Sequence, residues 1–365
     1  MTRVNQKPVR RQHTVSRFYL RGFAAGGRTL IRVPLDDPAR SHRISVDDAT
    51  VMRDFYTLED IDGGLDDFFE HAFGEIESEA APALRRALEP AENGRWSLSK
   101  DDKAVLALWL ALQYLRAESI RTAHTEMLAL GIRLIVGVSG KESLRRHIEV
   151  AEATPVSDAR LDAEWEDLTQ PGGTRLRPAA HEHLQSVSSL LLPTSEVLFD
   201  RQWSLDVLTR KRIVTSDHPV VLLPDGDTPE WEGLGLYTAA LAVPLNRHHV
   251  LVIGTSTGLP DMRVPGNAAL ANAVNAHVIW NARRAVYHHP EDTAVVAGAH
   301  LPPVRPYEVE LATGGDLISE DGLFAGLSDQ QLSVLRTSQS ADRAGFTLAD
   351  VAWPIPGRTF TWVGE

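Results

Sequence analysis

Every residue from Ala104 to Leu112 is apolar, and this run limits how the chain can fold more than any other segment does. A helix that is apolar on all sides has to be enclosed by protein, because a surface helix keeps a polar face toward water. Crossing a bilayer takes about 20 such residues, so the run is too short for a membrane span. Residues 97–102 precede it with serine and aspartate, which are typical of a helix start. We therefore predict a buried helix that begins there.

Gln113 interrupts this apolar run, and Arg116 follows one helical turn later on the same side. A buried amide needs polar partners for its donors and its acceptor. The two residues are therefore either part of a binding site or part of a structural network that joins this helix to the opening segment of the chain. A second helix is predicted over about 65–89, and it carries Glu70 and Glu77 two turns apart on one face. These carboxylates are either solvated or directed into a cleft.

The segment from His13 to Phe23 concentrates aromatic and basic side chains near the N-terminus. Read as a helix that ends near Gly22, it places Arg17 and Arg21 four residues apart on one face. Guanidinium groups suit phosphate or carboxylate, so the segment is a candidate anion site. The alternative is that the aromatics anchor the N-terminus to the core and the arginines stay solvated.

Several short motifs together resemble one protein family. They are His-x-x-Ser-Arg-Phe-Tyr-Leu-Arg-x-Phe from His13, Asp-Phe-Tyr-Thr from Asp54, Ile-Glu-Ser from Ile76, Gln-x-x-Arg from Gln113, and Val-Thr-Ser-Asp-His-Pro-Val from Val214, followed by Val-Pro-Leu from Val243. This set resembles the uncharacterised bacterial family called domain of unknown function 4238, over roughly residues 12 to 290. The family's later motif usually reads Thr-Ser-Asp-Asn-Pro, so His218 departs from it. The resemblance implies positions of interest but no activity.

The residue pattern changes from helical to strand-like around Pro193. Alternating or β-branched runs then predict strands at about 203–208, 212–215, 219–223, 237–243 and 249–253, and a helix follows at about 266–287. Asp217 falls where one strand turns into the next. It is either a functional carboxylate held at a rigid strand end or a turn residue bonded to backbone amides.

These patterns predict an α+β fold. We expect a mainly helical N-terminal half with a small β ribbon at 29–33 and 43–46, followed by a short antiparallel sheet and a long helix. The predicted regions are 1–195, which is mainly helical with the aromatic and basic anchor, 196–310, which combines antiparallel strands with the helix, and a C-terminal extension, 311–365. In the helix at 266–287, Asn275 and His277 are candidates to line a pocket.

Charge and composition exclude several classes of protein. The net charge of −12 argues against nucleic-acid binding over the whole surface, although the first 32 residues carry eight basic residues and no acidic one. The chain has no cysteine, so any metal has to be held by His, Asp or Glu. We see neither a secretory signal nor a membrane span, and we expect a cytoplasmic protein. Its oligomeric state is not predicted.

The sequence lacks glycine-rich phosphate loops and the Gly-x-Ser-x-Gly elbow, which disfavours NTPases, Rossmann oxidoreductases and α/β-hydrolases. Our first hypothesis is a hydrolase that acts on a phosphodiester, in a nucleic acid or a nucleotide, with His13 or Asp217 handling the proton. Arg17, Arg21 and Arg116 would stabilise the phosphoryl charge, with Gln113 beside them. A divalent metal held by Glu77, Asp217 and His13 is a variant. The alternatives are a non-catalytic sensor or interaction protein that encloses a small anionic ligand, and a purely structural network.

Overall fold

The computed structural model describes residues 9–59, 65–90, 96, 98–124, 136–137, 139–169, 180–223 and 239–302. These residues adopt the predicted α+β fold. They divide into two compact units: described residues up to Arg121 and from Ala180 onward form the first, and those from Thr122 to Thr169 belong to the second. The predicted extension, 311–365, lies outside the described residues.

The helices in chain order are α1 (Arg17–Leu20), α2 (Phe68–Leu88), α3 (Lys100–Leu115), α4 (Lys141–Glu152), α5 (Asp158–Thr169), α6 (Ala180–Asp200), α7 (Ala268–Asn281) and α8 (Thr293–Ala297). Residues 118–124 are also helical. The strands are β1 (Arg11–His13), β2 (Thr29–Pro34), β3 (His42–Ser45), β4 (Val51–Arg53), β5 (Leu58–Glu59), β6 (Leu65–Asp66), β7 (Arg201–Val207), β8 (Thr215–Ser216), β9 (Val221–Leu223), β10 (Ala240–Asn246), β11 (His249–Thr257), β12 (Met262–Pro265) and β13 (Ala285–His288).

Helix α3 is the buried helix that the apolar run predicts. Ser99 caps it, since its hydroxyl oxygen accepts a hydrogen bond of 3.0 Å from the amide of Asp102. Trp109, Leu110 and neighbouring residues are buried, and α3 packs against both α2 and α6. Within the apolar run, Ala104 is exposed and Val105 and Leu108 are partly buried, so α3 is not enclosed on every side as predicted. Burial of its other apolar side chains organises the helical part of the first unit.

The opening segment is not one helix, as its spacing suggested. Residues Arg11–His13 form β1, which pairs antiparallel with β4, and only Arg17–Leu20 are α-helical before a 3-10 turn at Arg21–Phe23. Val15, Tyr19 and Phe23 are nevertheless buried as anchors. The helical prediction was wrong at 13–16 because pairing with β4 supplies backbone hydrogen bonds that the local sequence does not reveal.

Helix α6 corrects a second prediction. The change from helix to strand was expected around Pro193, yet α6 continues through this proline to Asp200, and β7 starts at the next residue. The proposed boundary between residues 195 and 196 therefore falls inside a helix. Pro82 lies within α2 in the same way. Packing in the first unit maintains helices across residues that would weaken an isolated helix.

The larger sheet has five strands in the order β12-β7-β11-β10-β9. All neighbouring pairs are antiparallel except β12 and β7, which are parallel, so the predicted antiparallel sheet is a mixed one. Trp203 of β7 is paired with Ile253 of β11, and both are fully buried. The core of this part of the unit lies on that face of the sheet.

The smaller sheet has the order β3-β2-β13-β8 and contains the predicted ribbon as β2 and β3. The long helix predicted over 266–287 ends at Asn281, and Ala285–His288 instead form β13, inserted antiparallel between β2 and β8. All four residues of β13 are buried. This sheet brings β8, and with it Asp217, next to residues from both ends of the first unit.

The second unit contains the pair α4 and α5. Leu144, Val156 and Leu161 form its small apolar core, and Trp165 and Leu168 pack against it. Arg145 links the two helices by an ion pair of 2.6 Å with Asp158. None of the helices in the described ranges of either unit is both long and apolar enough to cross a bilayer.

Candidate functional site

The opening segment meets α2 and α3 at the hydroxyl of Ser16, which is fully buried. This oxygen accepts hydrogen bonds from Trp109 Nε1 at 2.9 Å and from an Arg116 guanidinium nitrogen at 2.8 Å, and it donates to Glu77 Oε1 at 2.9 Å. Arg116 also forms an ion pair of 2.7 Å with Glu77. The predicted candidates Glu77 and Arg116 therefore lie in one buried network.

Gln113 completes this network. Its Oε1 accepts from the Ser16 amide at 3.2 Å and from Arg116 at 2.9 Å, and its Nε2 donates to the carbonyl of Thr14 at 2.9 Å. Gln113 and Arg116 are each only 1% exposed. An amide whose groups are already bonded and shielded from water has little capacity for a ligand. Gln113 therefore ties α3 to the opening segment, as the structural alternative predicts.

The network has a more open edge, formed by Glu70, Glu77 and His13, which are only partly buried. Burial raises the pKa of Glu70 to about 7, and the nearby charge of Glu77 adds to the rise. Burial also lowers the pKa of His13, and the charge of Arg17 contributes, so this imidazole is neutral at neutral pH. The charges of Glu70 and Glu77 both interact with the charge of Arg116.

Three buried polar atoms at this edge have no hydrogen-bond partner among the described residues. They are His13 Nε2, the hydroxyl of Tyr56 and Arg116 Nε. Burial raises the pKa of Tyr56, whose ring packs edge-on against Phe73 with centroids 5.2 Å apart. A buried polar group without a partner costs about 1–3 kcal/mol. Fewer of the buried polar atoms are therefore hydrogen-bonded at the edge of the network than at its centre, among the residues described.

Replacing Glu70 tests the raised pKa. The folded protein holds the Glu70 proton up to a pKa of about 7, above the ordinary value of 4.5, so the wild type should lose stability as the pH rises through this window. We expect Glu70→Gln to raise the free energy of unfolding by about 1–2 kcal/mol near pH 8.5 and to change it little near pH 4. Urea denaturation at both pH values measures this. Glu79→Gln, at an exposed position of α2, controls for loss of a helix charge, and equal effects of both variants would contradict the assignment.

Two tyrosines offer a matched test of satisfied and unsatisfied hydroxyls. The Tyr19 hydroxyl shares a hydrogen bond of 2.7 Å with Thr215 Oγ1, whereas the buried Tyr56 hydroxyl has no partner among the described residues. We expect Tyr19→Phe to cost about 1 kcal/mol of unfolding free energy and Tyr56→Phe to cost nothing or to stabilise slightly. Chemical denaturation of both variants decides this, and a larger loss for Tyr56→Phe would show that its hydroxyl is bonded.

Asp217 lies in a different part of the first unit, directly after β8. Its carboxylate accepts hydrogen bonds from the backbone amides of Arg283 at 3.0 Å and Arg284 at 2.7 Å, just before β13. It is 9% exposed, and burial raises its pKa to about 6 although these two amides oppose the rise. Asp217 therefore bonds backbone amides, as expected of a turn residue, and it also borders a cavity.

This Asp217 cavity has a volume of about 130 Å³. Its polar lining consists of Thr14, Arg32, Asp48, Thr50, Glu118, Asp217, Arg284 and Tyr287. Arg32 is hydrogen-bonded to the side chain of Tyr287, and the pKa of Tyr287 is raised by burial and by the charge of Asp217. Arg284 forms hydrogen bonds with Glu118, one of them 2.6 Å long. The carboxyl group of Asp217, with its near-neutral pKa, thus shares a small cavity with two guanidinium groups and with the carboxylates of Asp48 and Glu118.

His218, the departure from the family motif, lies beside Asp217 but has a structural role. Its ring is hydrogen-bonded to the hydroxyl of Ser119, and its backbone amide donates to Ser216 Oγ at 3.0 Å. Burial lowers the pKa of His218 to about 3. The imidazole is therefore neutral at physiological pH and connects the β8 turn to the helical residues that follow α3.

The structure brings together some of the predicted site residues and separates others. Glu77, Gln113 and Arg116 share one network, and His13 interacts with the charges of Glu77 and Arg116. Asp217 belongs to the cavity. Arg17 and Arg21 are exposed, and Arg17 is 3.4 Å from Asp47.

No group of three or more His, Asp or Glu side chains within the described ranges is arranged to hold a metal. The geometry therefore gives no support to the proposed set of Glu77, Asp217 and His13.

Sequence reasoning missed Arg32, Arg284 and Tyr287 as lining residues. Arg32 was placed correctly in a strand, but its side chain gave no sign of a site. Arg284 and Tyr287 lie in the range that was predicted to be helical. Their actual positions, just before β13 and within it, were therefore not expected. The signal that could have revealed them is the apolar and aromatic run Ala285-Val286-Tyr287, which favours a strand.

Comparison with known proteins gives one match. The family model described as "Protein of unknown function (DUF4238)" matches residues 11–292. No curated protein and no solved structure matches the chain.

Proposed function

Because this chain belongs to the DUF4238 family, whose description assigns no reaction, we propose a function from the chain's own geometry, namely a hydrolase that cleaves a phosphodiester at the Asp217 cavity. The observation that carries this proposal is the carboxyl group of Asp217, which has a pKa of about 6 and lies in a cavity beside two guanidinium groups. Nucleic acids and nucleotides are the substrate classes that provide such a bond. Nuclease activity is one form of the proposal.

Asp217 supplies the proton acceptor in this proposal. At neutral pH most Asp217 carboxylates are ionised, yet the pKa is close enough to neutrality for efficient proton exchange. The carboxylate takes a proton from water, the water oxygen forms a new bond to phosphorus, and the P–O bond to the leaving group breaks. The leaving oxygen receives a proton from solvent.

Arg32 supplies positive charge, and Arg284 adds to it while paired with Glu118. Guanidinium groups donate hydrogen bonds to phosphoryl oxygens and stabilise the charge that develops on them. These two arginines take the role that the sequence suggested for Arg17, Arg21 and Arg116. Arg116 is less suited to it, because it is only 1% exposed and does not line the cavity.

The size of the cavity limits what enters it. A volume of about 130 Å³ has room for several water molecules, and so for one phosphoryl group with an attacking water. The groups esterified to the phosphate have to remain outside. This favours a substrate that presents its phosphate at a surface.

A purely anion-binding sensor fits this lining less well. A carboxylate repels a bound anion, so a site that evolved only for binding gains nothing from Asp217. Catalysis, in contrast, requires a proton acceptor next to the phosphoryl group. Binding of a phosphoryl compound without turnover would nevertheless support the sensor alternative.

The test is a cleavage assay on purified full-length protein. The panel contains nucleotides, short RNA and short DNA, each with and without Mg²⁺ or Mn²⁺. We expect cleavage by the wild type and by Asp206→Asn, and loss of cleavage in Asp217→Asn and Arg32→Gln. Asp206 is the matched control, because it is a partly buried aspartate of β7 whose pKa is also raised by burial. No cleavage by folded wild-type protein, or equal loss in both aspartate variants, would contradict the proposal.

A further inference from the structure

Tyr287 lines the Asp217 cavity, but the cleavage described so far gives it no part. It belongs to β13, which is paired with β2 on one side and β8 on the other, and it is 3% exposed. Its pairing partners in the sheet are Arg32 of β2 and Thr215 of β8. Residues paired directly across strands present their side chains on the same face of a sheet. The sheet therefore holds the ring of Tyr287 beside the side chain of Arg32.

The hydroxyl oxygen of Tyr287 is an acceptor for two hydrogen-bond donors. The guanidinium of Arg32 and the backbone amide of Thr50 each donate a hydrogen bond to it. Neither partner accepts a proton in return, because guanidinium and amide nitrogens only donate. The phenolic hydrogen takes part in neither bond and is available to a third group.

Tyr287 keeps this hydrogen at neutral pH. Burial raises the pKa of its hydroxyl above the ordinary value of 10, and the charge of Asp217 adds to the rise. Asp217, with a pKa of about 6, is mostly ionised at the same pH. The cavity therefore contains a proton acceptor and a proton donor together. Titratable groups whose environments hold their pKa values far apart are suited to the roles of general base and general acid.

We propose that Tyr287 is the general acid of the Asp217 cavity and that the substrates are phosphodiesters of unactivated alcohols, such as the hydroxyls of a sugar. This inference rests on the proposed phosphodiester cleavage. As the P–O bond breaks, its electron pair goes to the leaving oxygen, which takes the phenolic proton of Tyr287. The phenolate then takes a proton from water, so solvent remains the source of the proton and Tyr287 delivers it. Until then Arg32 and the amide of Thr50 stabilise the phenolate.

The chemistry of the leaving group decides how much this proton contributes. A sugar alkoxide is too basic to leave readily, and a positioned general acid accelerates such a step by about 100- to 10,000-fold. A nitrophenolate is a stable anion and leaves without a proton. A general acid therefore favours esters of alcohols, and a pair of substrates that differ in the leaving group reveals it.

The test measures kcat/KM of purified full-length protein on two phosphodiesters of thymidine, each with and without Mg²⁺. One is the thymidine dinucleotide, which releases a sugar hydroxyl, and the other is the para-nitrophenyl ester of thymidine monophosphate, which releases nitrophenolate. We expect the wild type to cleave both. Tyr287→Phe should lower kcat/KM about 100-fold for the dinucleotide and no more than about threefold for the nitrophenyl ester. Arg32→Gln should lower both values to a similar degree, because it stabilises phosphoryl charge in both reactions.

Tyr19→Phe is the matched control. The Tyr19 hydroxyl is also buried and shares a hydrogen bond of 2.7 Å with Thr215 Oγ1, next to Tyr287 in the sheet, but Tyr19 does not line the cavity. We expect the ratio of the two kcat/KM values to stay at that of the wild type in this variant. Thermal melting checks that each variant is folded.

The outcomes separate this inference from the proposed function. If the wild type cleaves both substrates and Tyr287→Phe slows both equally or neither, Tyr287 is not the general acid, although the cleavage itself stands. The same holds if Tyr19→Phe shows the same selective loss as Tyr287→Phe. A wild type that cleaves only the nitrophenyl ester also overturns the inference, and this comparison does not depend on the folding of any variant. A folded wild type that cleaves neither substrate overturns both the inference and the proposed function.

Discussion

Arg116→Met is expected to lower the free energy of unfolding by about 3–5 kcal/mol, because it removes one partner of a buried ion pair and leaves the other charged. Arg116 is 1% exposed and bonds to Ser16, Glu77 and Gln113 at 2.7–2.9 Å. Methionine fills a similar volume but donates no hydrogen bond. Glu77 would then remain as a partly buried charge without its cation, and the oxygen of Gln113 would lose one donor.

Denaturation of Arg116→Met beside Arg86→Met measures the effect of burial on such a pair. Arg86 also pairs with a carboxylate, that of Asp102, but the Arg86 side chain is 55% exposed. We expect Arg86→Met to cost much less than Arg116→Met, because solvent screens an exposed ion pair. Adding Glu77→Leu to Arg116→Met should recover part of the loss, because the stranded charge is removed with its partner. Similar losses for the two single variants would show that the network does not hold α3 to the opening segment.

Asp217→Asn is expected to lower kcat/KM for phosphodiester cleavage by about 100-fold or more, which is the usual contribution of a general base. Because the base has to be ionised, the wild-type rate should rise with pH through the pKa of about 6 and become level above it. In Asp217→Asn this rise should disappear. Rates of the wild type and the variant between about pH 4.5 and 8.5 measure both effects.

Asp217 also has a structural role, which the experiment has to separate from catalysis. Asparagine offers one acceptor where the carboxylate offers two, so one of the bonds to the amides of Arg283 and Arg284 is lost. We expect a cost of about 1–2 kcal/mol in unfolding free energy. Arg32→Gln leaves these backbone bonds intact and should still lower kcat/KM about tenfold or more. If the wild type cleaves the substrate but its rate does not rise with pH near 6, the general base is a group other than Asp217.

The sequence predicted those features that depend on local patterns. The apolar run predicted α3, and Ser99 caps it as expected. The family resemblance is confirmed, as is the α+β class. The spacing of two helical turns between Glu70 and Glu77 predicted a shared face of the helix, and the charges of both interact with that of Arg116. Helical periodicity and capping act over a few residues, so one segment suffices to reveal them.

The features that failed depend on distant partners. Residues 285–288 form β13 because β2 and β8 supply hydrogen bonds on both sides, and neither strand is near in sequence. The sequence also left open whether His13 and Asp217 converge on one site. Burial and the nearby charge of Arg116 lower the pKa of His13, whereas the next residue, Thr14, lines the Asp217 cavity. Consecutive side chains of an extended chain point to opposite faces, so one segment contributes to two sites.

The position of β13 between β2 and β8 sets an order of events during synthesis. Residues Thr29–Pro34 leave the ribosome early, but their partner on one side, Ala285–His288, follows about 250 residues later. At a translation rate of about 5–20 residues per second, the inner edge of β2 has no native partner for roughly 10–50 s. An open strand edge can pair with other chains. The nascent protein therefore passes through a period in which β3 is the only strand paired with β2, and aggregation during expression should decrease when translation is accelerated.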